Sequence, residues 1–328
     1  MPRRATVRDI AAETGVSIAT VSRALNGHPS VAAPTRELVR AAADRLGAAI
    51  PAPVSRGPVF LRCPYLLADY FGTIVSSIAE TLDLHGRPVI LNAGEAAQRR
   101  TVLTELAHRD VSGTILILPP ESDAELAALR AHPAPFVVVD PRTPPPPDMV
   151  AVSAAHLAGA RQLTAHLVAL GHRRIGMIGG PDEWSASDAR RAGHAAALAD
   201  VGVIAAPELL RSEHPTVECG YQAALDLLDL PDRPTAIVGF NDKVAVGAMQ
   251  AAAALGLRVP EDLSVAGYDD IDLSRATRPM LTTVRQPLEE MGRMAVGLLL
   301  RLIDRHALQA LHVELATELV VRGSTGPA

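Results

Sequence analysis

The chain of 328 residues has only two cysteines, Cys63 and Cys219, and their separation forms no metal-binding motif. Its eleven histidines are scattered, and no H-E-x-x-H pair occurs. The phosphate-binding loop G-x-x-x-x-G-K-[ST] is also absent, and the glycines of G-M-I-G-G-P at 176–181 do not match a dinucleotide-binding fingerprint. These absences argue against metal-dependent and nucleotide-dependent chemistry, and we expect neither a cofactor nor a metal.

Long apolar runs are missing as well, although hydrophobic residues make up 48% of the chain. No run of 18 apolar residues occurs, which argues against a membrane span. The first residues, M-P-R-R-A-T, contain no apolar signal segment, so we expect a cytoplasmic protein. The length allows two or three packed units with sizeable cores.

Lysine is nearly absent, since Lys243 is the only one and all other positive side chains are arginine. Residues 1–46 carry seven arginines against four acidic residues, a net charge of +3, whereas the remainder carries −8 within a total of −5. A basic head on an acidic body is what contact with DNA at one end of the molecule requires.

What is present near the N-terminus is the pattern of two short helices, T-V-R-D-I-A-A-E-T-G-V-S-I-A-T-V-S-R-A-L-N at 6–26. Apolar residues recur at helical spacing on both sides of Gly15, which suits a tight turn because glycine tolerates positive φ. Thr6 with Asp9, and Ser17, occupy positions typical of helix N-caps. A third helix is expected over about 34–46, which completes a small domain.

The second helix presents a polar face that suits the major groove of DNA. Hydroxyl and amide groups at a helix N-terminus bind phosphate oxygens, and Arg23 can grip a guanine edge with two hydrogen bonds. Ile18 and Ala19 can only contact a thymine methyl or exclude a wrong base. The alternative is an ordinary helical hairpin with a solvated face. The candidate DNA-binding residues are Thr6, Ser17, Ile18, Ala19, Thr20, Ser22, Arg23, Asn26 and Val31.

Residues 47–58 contain three prolines and two glycines and are typical of a linker. Beyond them, short apolar runs alternate with helical patterns, which predicts parallel sheets flanked by helices. The proline-rich stretch at 141–147 interrupts this series, and the alternation then restarts. Two α/β units in series indicate two lobes with a cleft between them.

Ligands of such sheets bind beyond the carboxyl ends of the strands, and polar residues follow three of the predicted strands. They are Asp140, the pair Asn241 and Asp242, and the pair Asp269 and Asp270. Carboxylates and amides at these positions can bind the hydroxyl groups of a small ligand. The alternative is that they are turn formers or helix caps.

Several segments together resemble the LacI family of bacterial transcriptional regulators. The head segment at 6–26 matches the family headpiece almost residue for residue, whereas residues 47–135 match more weakly. The further matching segments are H-L-V-A-L-G-H-R-R-I-G-M-I-G-G-P (166–181), P-T-A-I-V-G-F-N-D (234–242), G-L-R-V-P-E-D-L-S-V-A-G-Y-D-D-I (256–271), P-M-L-T-T-V-R-Q-P (279–287) and E-L-V-V-R (318–322).

The resemblance implies a DNA-binding repressor with a helix-turn-helix headpiece (1–46), a hinge linker (47–58) and a two-lobed core (59–328) like that of sugar-binding proteins. Lobe one would comprise about 59–160 and 286–310, and lobe two about 161–285 and 311–328, with three crossings between them. It also implies a homodimer, possibly a tetramer, on a near-palindromic operator. A small effector in the cleft would change the angle between the lobes and so the spacing of the headpieces, which must match half-sites about 34–36 Å apart.

The resemblance further assigns effector positions to polar residues and to an aromatic pair at the cleft mouth. Such a set suits a sugar or a nucleoside-like ligand, because carboxylates bind hydroxyls and an aromatic face packs on the C–H side of a ring. The effector-binding candidates are Tyr70, Phe71, Asp140, Arg190, Asn241 and Asp269.

The sequence departs from the family pattern at several places. The linker lacks the leucine that the family inserts into the minor groove, and Val54 or Ile50 is the available apolar substitute. An Asp-Asn pair at the start of lobe two is replaced by Ala155 and His156. Trp184 is the only tryptophan and either supplies a ring face to the ligand or is structural.

Alternative functions follow from these departures and from the fold class. A regulator that no longer responds to an effector is one, and a small-molecule binding module without a DNA function is another. An enzyme on an α/β core is a third, but no nucleophile, base and orienting group form a recognisable arrangement. We therefore expect a regulator and not an enzyme.

Overall fold

The computed structural model describes residues 6–25, 31–46, 57–107 and 109–328. Asn26 and residues 47–56 of the predicted linker, with both candidates for the minor-groove wedge, lie outside the described residues. Only Gly57 and Pro58 of that linker are described.

Three helices form the N-terminal unit: α1 (Val7–Thr14), α2 (Ile18–Leu25) and α3 (Ala33–Arg45). The predicted caps of the first two are present. The Asp9 carboxylate accepts from the backbone N and Oγ1 of Thr6, and Ser17 Oγ accepts from the backbone N of Thr20 at 3.1 Å. Gly15 ends α1 with φ +66°, the left-handed conformation that the turn requires.

The small core of this unit explains one error in the sequence analysis. Val31 was expected among the DNA-binding residues, but it is only 5% exposed and packs inside this core, so its side chain does not face a duplex. Conversely Val7, which has the apolar spacing of a core residue, is 38% exposed. The buried members of the core are Ile10, Val21, Ala24, Leu25, Val31, Val39, Ala42 and Ala43.

Lobe one is built on a six-stranded parallel sheet in the order β11-β5-β4-β3-β1-β2. Its strands are β1 (Val59–Cys63), β2 (Val89–Ala93), β3 (Gly113–Ile117), β4 (Phe136–Val139), β5 (Ala151–Ala154) and β11 (His312–Leu315). Its helices are α4 (Asp69–Leu84), α5 (Gly94–Gln98), α6 (Val102–Leu106), α7 (Asp123–Leu129) and α13 (Leu288–Ile303). The central strands are buried on both faces, as a parallel sheet between helix layers requires.

Lobe two is built on a four-stranded parallel sheet in the order β7-β6-β8-β9. Its strands are β6 (Ile175–Gly179), β7 (Leu210–Ser212), β8 (Ala236–Gly239) and β9 (Ser264–Ala266). Its helices are α8 (His156–Ala169), α9 (Ser185–Ala199), α10 (Val217–Leu228), α11 (Asp242–Ala254) and α12 (Leu273–Ala276), with a 3₁₀ turn at Pro207–Leu209. The predicted architecture, a helical headpiece plus parallel sheets flanked by helices in two lobes, is confirmed.

The chain crosses between the lobes three times: after β5, before α13 and after β11. An antiparallel pair, β10 (Thr283–Arg285) and β12 (Glu318–Val320), lies at the second and third crossings. Two expected boundaries were wrong. Helix α8 packs against α9 and therefore belongs to lobe two from its first residue, and β11 pairs with β5 in lobe one instead of starting the return to lobe two.

Candidate functional site

A cavity of about 210 Å³ lies between the lobes at the carboxyl ends of their strands. All six residues that we expected to bind an effector line it, with three from each lobe. Tyr70 and Phe71 belong to α4 and Asp140 follows β4 of lobe one, whereas the remaining three come from lobe two. The other lining residues are Tyr65, Leu66, Ala68, Asp69, Leu118, Trp184, Ala186, Pro215, Phe240, Lys243 and Ile271.

The Asp140 carboxylate is held by two donors. Its Oδ2 accepts from the hydroxyl of Tyr70 at 2.8 Å, and its Oδ1 lies 2.8 Å from His156 Nε2. Burial by itself raises the pKa of this carboxyl, but the facing His156 and the two hydrogen bonds outweigh burial and keep the pKa below its usual value. Asp140 is therefore an ionised acceptor in a site from which most water is excluded.

His156 connects Asp140 to Arg190. Its Nδ1 lies 3.4 Å from Arg190 Nη2, and because a guanidinium only donates, this ring nitrogen is the acceptor. In the neutral imidazole the proton is then on Nε2, which donates to Asp140. The first residue of lobe two thus fixes both a carboxylate from lobe one and an arginine from lobe two.

Arg190 is 4% exposed and lies between two aromatic rings. Its guanidinium carbon is 3.7 Å from the ring centroid of Tyr268 and 4.3 Å from that of Phe240. Its Nη1 donates to the backbone oxygen of Phe240, and its Nη2 is 3.9 Å from Asp269 Oδ1. Stacking and hydrogen bonds therefore fix the guanidinium plane, while Nε has no hydrogen-bond partner among the described residues.

Asp269 is the second carboxylate of the cavity and differs from Asp140 electrostatically. Gln286 Nε2 donates to its Oδ1 at 2.7 Å. Burial raises the pKa of Asp269 to about 6, although Arg190 and Gln286 pull it down. The two carboxylates therefore ionise at different pH values.

The strand-end residues Asn241, Asp242 and Asp270 support the alternative of a structural role. Asn241 Oδ1 caps α11 by accepting from the backbone N of Val244 at 3.0 Å, although Asn241 also lines the cavity. Asp242 is fully buried and accepts from Ile271 N and Thr283 Oγ1, and burial raises its pKa well above the usual value.

Asp270 has a structural role in lobe two and does not line the cavity. It accepts from Arg322, Arg285 and Ser274, and its carboxylate is 1% exposed. Of the five strand-end residues, three line the cavity and two serve the fold.

Aromatic side chains are scarce in the chain and concentrated at this site. They make up 3% of the sequence, nine residues in all. Tyr65 stacks on Phe71 with 4.5 Å between ring centroids, and Trp184 of lobe two meets Tyr65 of lobe one edge to face at 6.4 Å. Trp184 Nε1 is buried and has no hydrogen-bond partner among the described residues. Six of the nine surround the cavity: Tyr65, Tyr70, Phe71, Trp184, Phe240 and Tyr268.

The sequence analysis missed several residues of this site. His156 was noted only as a departure from the family pattern, and Gln286 and Phe240 were not considered. No local pattern marks them, since their roles depend on strands and crossings that are distant in sequence. Lys243 did carry a signal as the only lysine, but its partner Asp69 is 174 positions away.

The headpiece exposes the predicted face of α2. Ser17, Ala19 and Ile18 are exposed, the last at 52%, which is high for an isoleucine. Thr20 and Ser22 are half-buried, Thr6 is exposed, and Arg23 lies within α2. An exposed isoleucine among hydroxyl groups at the start of a helix is consistent with contact to base edges.

Two features of the described part of the chain bear on other functions. No helix there is long and apolar enough to cross a membrane. Within the same residues, no three His, Cys, Asp or Glu side chains are grouped so that they can hold a metal ion.

Comparison with known proteins gives matches along nearly the whole chain. Residues 6–47 match the family model described as bacterial regulatory proteins, lacI family, and residues 164–325 match the periplasmic binding protein-like domain. The HTH-type transcriptional repressor CytR of Escherichia coli K12 is 34% identical, with 98% of this chain and 96% of CytR covered. The HTH-type transcriptional regulator MalR of Streptomyces coelicolor is 38% identical with the same coverage.

Solved structures agree. The complex of the transcriptional regulator CelR with cellobiose superposes with a TM-score of 0.75 at 30% identity, covering 98% of this chain and all of CelR. The lac repressor dimer bound to operator and the anti-inducer ONPF superposes with a TM-score of 0.73 at 30% identity, covering 99% of this chain and 100% of the lac repressor chain. The chain is therefore a DNA-binding transcriptional regulator and belongs to the LacI family.

Proposed function

We propose that this regulator is a repressor that binds its operator as a homodimer, and that an uncharged small ligand with hydroxyl groups and a ring, a sugar or a nucleoside, controls operator affinity from the cavity between the lobes. The observation that carries the proposal is the convergence of Asp140, Arg190, Asn241 and Asp269 from both lobes on one aromatic-lined cavity. A ligand that contacts both lobes favours one angle between them, and the headpieces follow that angle.

The charges around the cavity support an uncharged ligand. Two cationic side chains line it, and both have anionic or acceptor partners: Lys243 pairs with Asp69, and Arg190 is bound to Phe240 and faces Asp269. With Asp140 ionised, the described lining carries no surplus positive charge. A phosphorylated sugar or nucleotide would therefore enter without a cation to receive it, and burying an unpaired anion is costly.

The aromatic side chains support a ligand that contains a ring as well as hydroxyl groups. Phe71, Trp184 and Phe240 provide apolar surface, whereas hydroxyl groups are bound by the carboxylates and by the Asn241 amide. Sugars and nucleosides combine a C–H or base face with hydroxyl groups, and a cavity with both types of surface fits that combination.

A matched-ligand screen tests this proposal. Thermal shifts would be recorded with cytidine, glucose, cellobiose and maltose, together with cytidine 5′-monophosphate and glucose 6-phosphate. Any neutral compound that stabilises the protein would then be titrated into a gel-shift assay with the DNA upstream of the protein's own gene. Binding of phosphorylated compounds in preference to their neutral partners would contradict the proposed ligand class. Failure to retard any duplex at low salt would contradict the DNA-binding function.

A further inference from the structure

Across the mouth of the cavity, an ion pair joins the two lobes. Lys243 Nζ lies 2.8 Å from Asp69 Oδ2, and both side chains are 36% exposed. Asp69 is the first residue of α4 in lobe one, and Lys243 is the second residue of α11 in lobe two. Both side chains line the cavity, so the pair lies between its contents and the solvent.

Local structure accounts for Asp69 but not for Lys243. Asp69 begins α4 with φ +44°, a left-handed conformation that Asp adopts more often than most residues, and the helix dipole favours its negative charge in this first turn. Lys243 places a positive charge in the first turn of α11, where the helix dipole favours a negative one. The contact between the lobes is the interaction that both residues have in common.

The network deeper in the cleft does not depend on this pair. Asp140, His156 and Arg190 bind one another without Lys243 or Asp69. Opening the mouth therefore breaks the ion pair, in addition to any change in the inner contact between His156 and Asp140. Because the pair is partly exposed, its attraction is modest and is screened by salt.

We propose that the Asp69–Lys243 ion pair is a latch that holds the lobes closed over the cavity, so that ionic strength as well as the effector sets the closed population. A pair of this exposure shifts the ratio of closed to open molecules by about 2- to 5-fold. The proposal goes beyond effector recognition, since it concerns the protein without ligand or DNA.

Trp184 provides the readout, because it is the only tryptophan and its indole lies in the cleft against Tyr65 of the other lobe. The experiment measures quenching of its fluorescence by acrylamide, a neutral quencher, in the full-length ligand-free protein at 50 and 500 mM NaCl. The variants are Asp69→Asn, Lys243→Gln and the charge swap Asp69→Lys with Lys243→Asp. Asp200→Asn is the control, because it breaks an ion pair of the same 2.8 Å length with Arg161 within lobe two.

At low salt, both single variants are expected to raise the quenching constant about 2-fold, the swap to restore it, and the control to leave it unchanged. Salt should raise quenching of the wild type and leave the single variants unaffected. Far-UV circular dichroism confirms that each variant is folded. Wild-type quenching in both single variants, or a swap as accessible as the single variants, would overturn the latch. Because neither ligand nor duplex is present, these outcomes are independent of the proposed function.

Discussion

His156 Nε2 lies 2.8 Å from Asp140 Oδ1, so the first residue of lobe two binds the residue that follows β4 of lobe one. Both residues are buried, at 7% exposure each. The contact is next to the first crossing between the lobes, where a change in their relative angle must alter it. It therefore connects a carboxylate of the cavity directly to the first crossing between the lobes.

Replacing His156 by alanine should lower the free energy of unfolding by about 1–3 kcal/mol, because a buried carboxylate loses one of its two donors. Urea unfolding at pH 7 measures the change. The same substitution in an Asp140→Asn background should cost at least 1 kcal/mol less, because no charge remains to be compensated. Equal costs in both backgrounds would show that His156 acts only through packing.

Arg190→Ala should abolish the response to an effector and leave operator binding intact, because the guanidinium contacts the cavity and not the headpiece. Gel shifts across a titration of the effector measure both properties. Arg191→Ala is the matched control, since the neighbouring arginine is 41% exposed and pairs with Asp182 outside the cavity. An unchanged effector response in the first variant would remove Arg190 from the site.

Asp269→Asn should change how stability depends on pH. The pKa of Asp269 in the folded protein is about 6, above its ordinary value. At pH values between the ordinary pKa and the folded pKa, the native state therefore binds more protons than the unfolded state. Stability from the protonated form is present near pH 4 and is lost as the pH rises through 6. The stability of the wild type minus that of the variant should fall by roughly 1–3 kcal/mol between pH 4 and 7, as measured by urea unfolding.

Asp262 is a control of opposite sign for that experiment. Hydrogen bonds from Arg258 lower the pKa of this half-buried carboxylate to about 2, so its contribution to stability is present at neutral pH and is lost as the pH falls through 2. In Asp262→Asn the difference from wild type should therefore not fall between pH 4 and 7. Parallel curves for the two variants would show that burial at Asp269 is not the cause.

Two glycines in helices should respond oppositely to alanine. A Cβ at Gly193 would lie 2.2 Å from the backbone oxygen of Leu157, where α8 and α9 touch, so Gly193→Ala should destabilise the protein by about 1–3 kcal/mol. A Cβ at Gly297 of α13 meets nothing within 4 Å, and Gly297→Ala should stabilise by about 0.5–1 kcal/mol. Thermal unfolding measures the change in stability of both variants. Two changes of the same sign would contradict the packing argument.

Arg23→Ala should weaken operator binding by about 1–3 kcal/mol if the side chain reads a guanine. Binding to the operator and to random DNA would be measured at one salt concentration. Arg40→Ala, on the exposed side of α3, is the control for charge alone. An equal loss on operator and random DNA would show that Arg23 contacts only phosphate.

The headpiece and the alternation of strands and helices show what the sequence predicts well. The caps at Thr6 and Ser17 and the turn at Gly15 depend on contacts within four residues, so residue type determines them. Strands such as β6 and helices such as α13 belong to the predicted alternation of short apolar runs and helical patterns, because buried apolar residues at strand or helix spacing identify them.

The errors have a common physical origin. Val31 was misassigned because its burial depends on packing against α3. Strand β11 was placed in the wrong lobe because its half-exposed residues do not indicate which strand it pairs with. His156 and Gln286 lie at the first two crossings and bind the cavity carboxylates Asp140 and Asp269. The roles of residues at the crossings between the lobes can therefore be recognised only once the fold is known.

The uneven placement of the rings has a spectroscopic consequence. Residues 1–58 contain no Phe, Tyr or Trp, so the headpiece contributes no aromatic bands to near-ultraviolet circular dichroism. Most of that signal comes from the rings around the cavity. In a sample without DNA, near-ultraviolet circular dichroism can thus report occupancy of the cleft with no aromatic contribution from the headpiece.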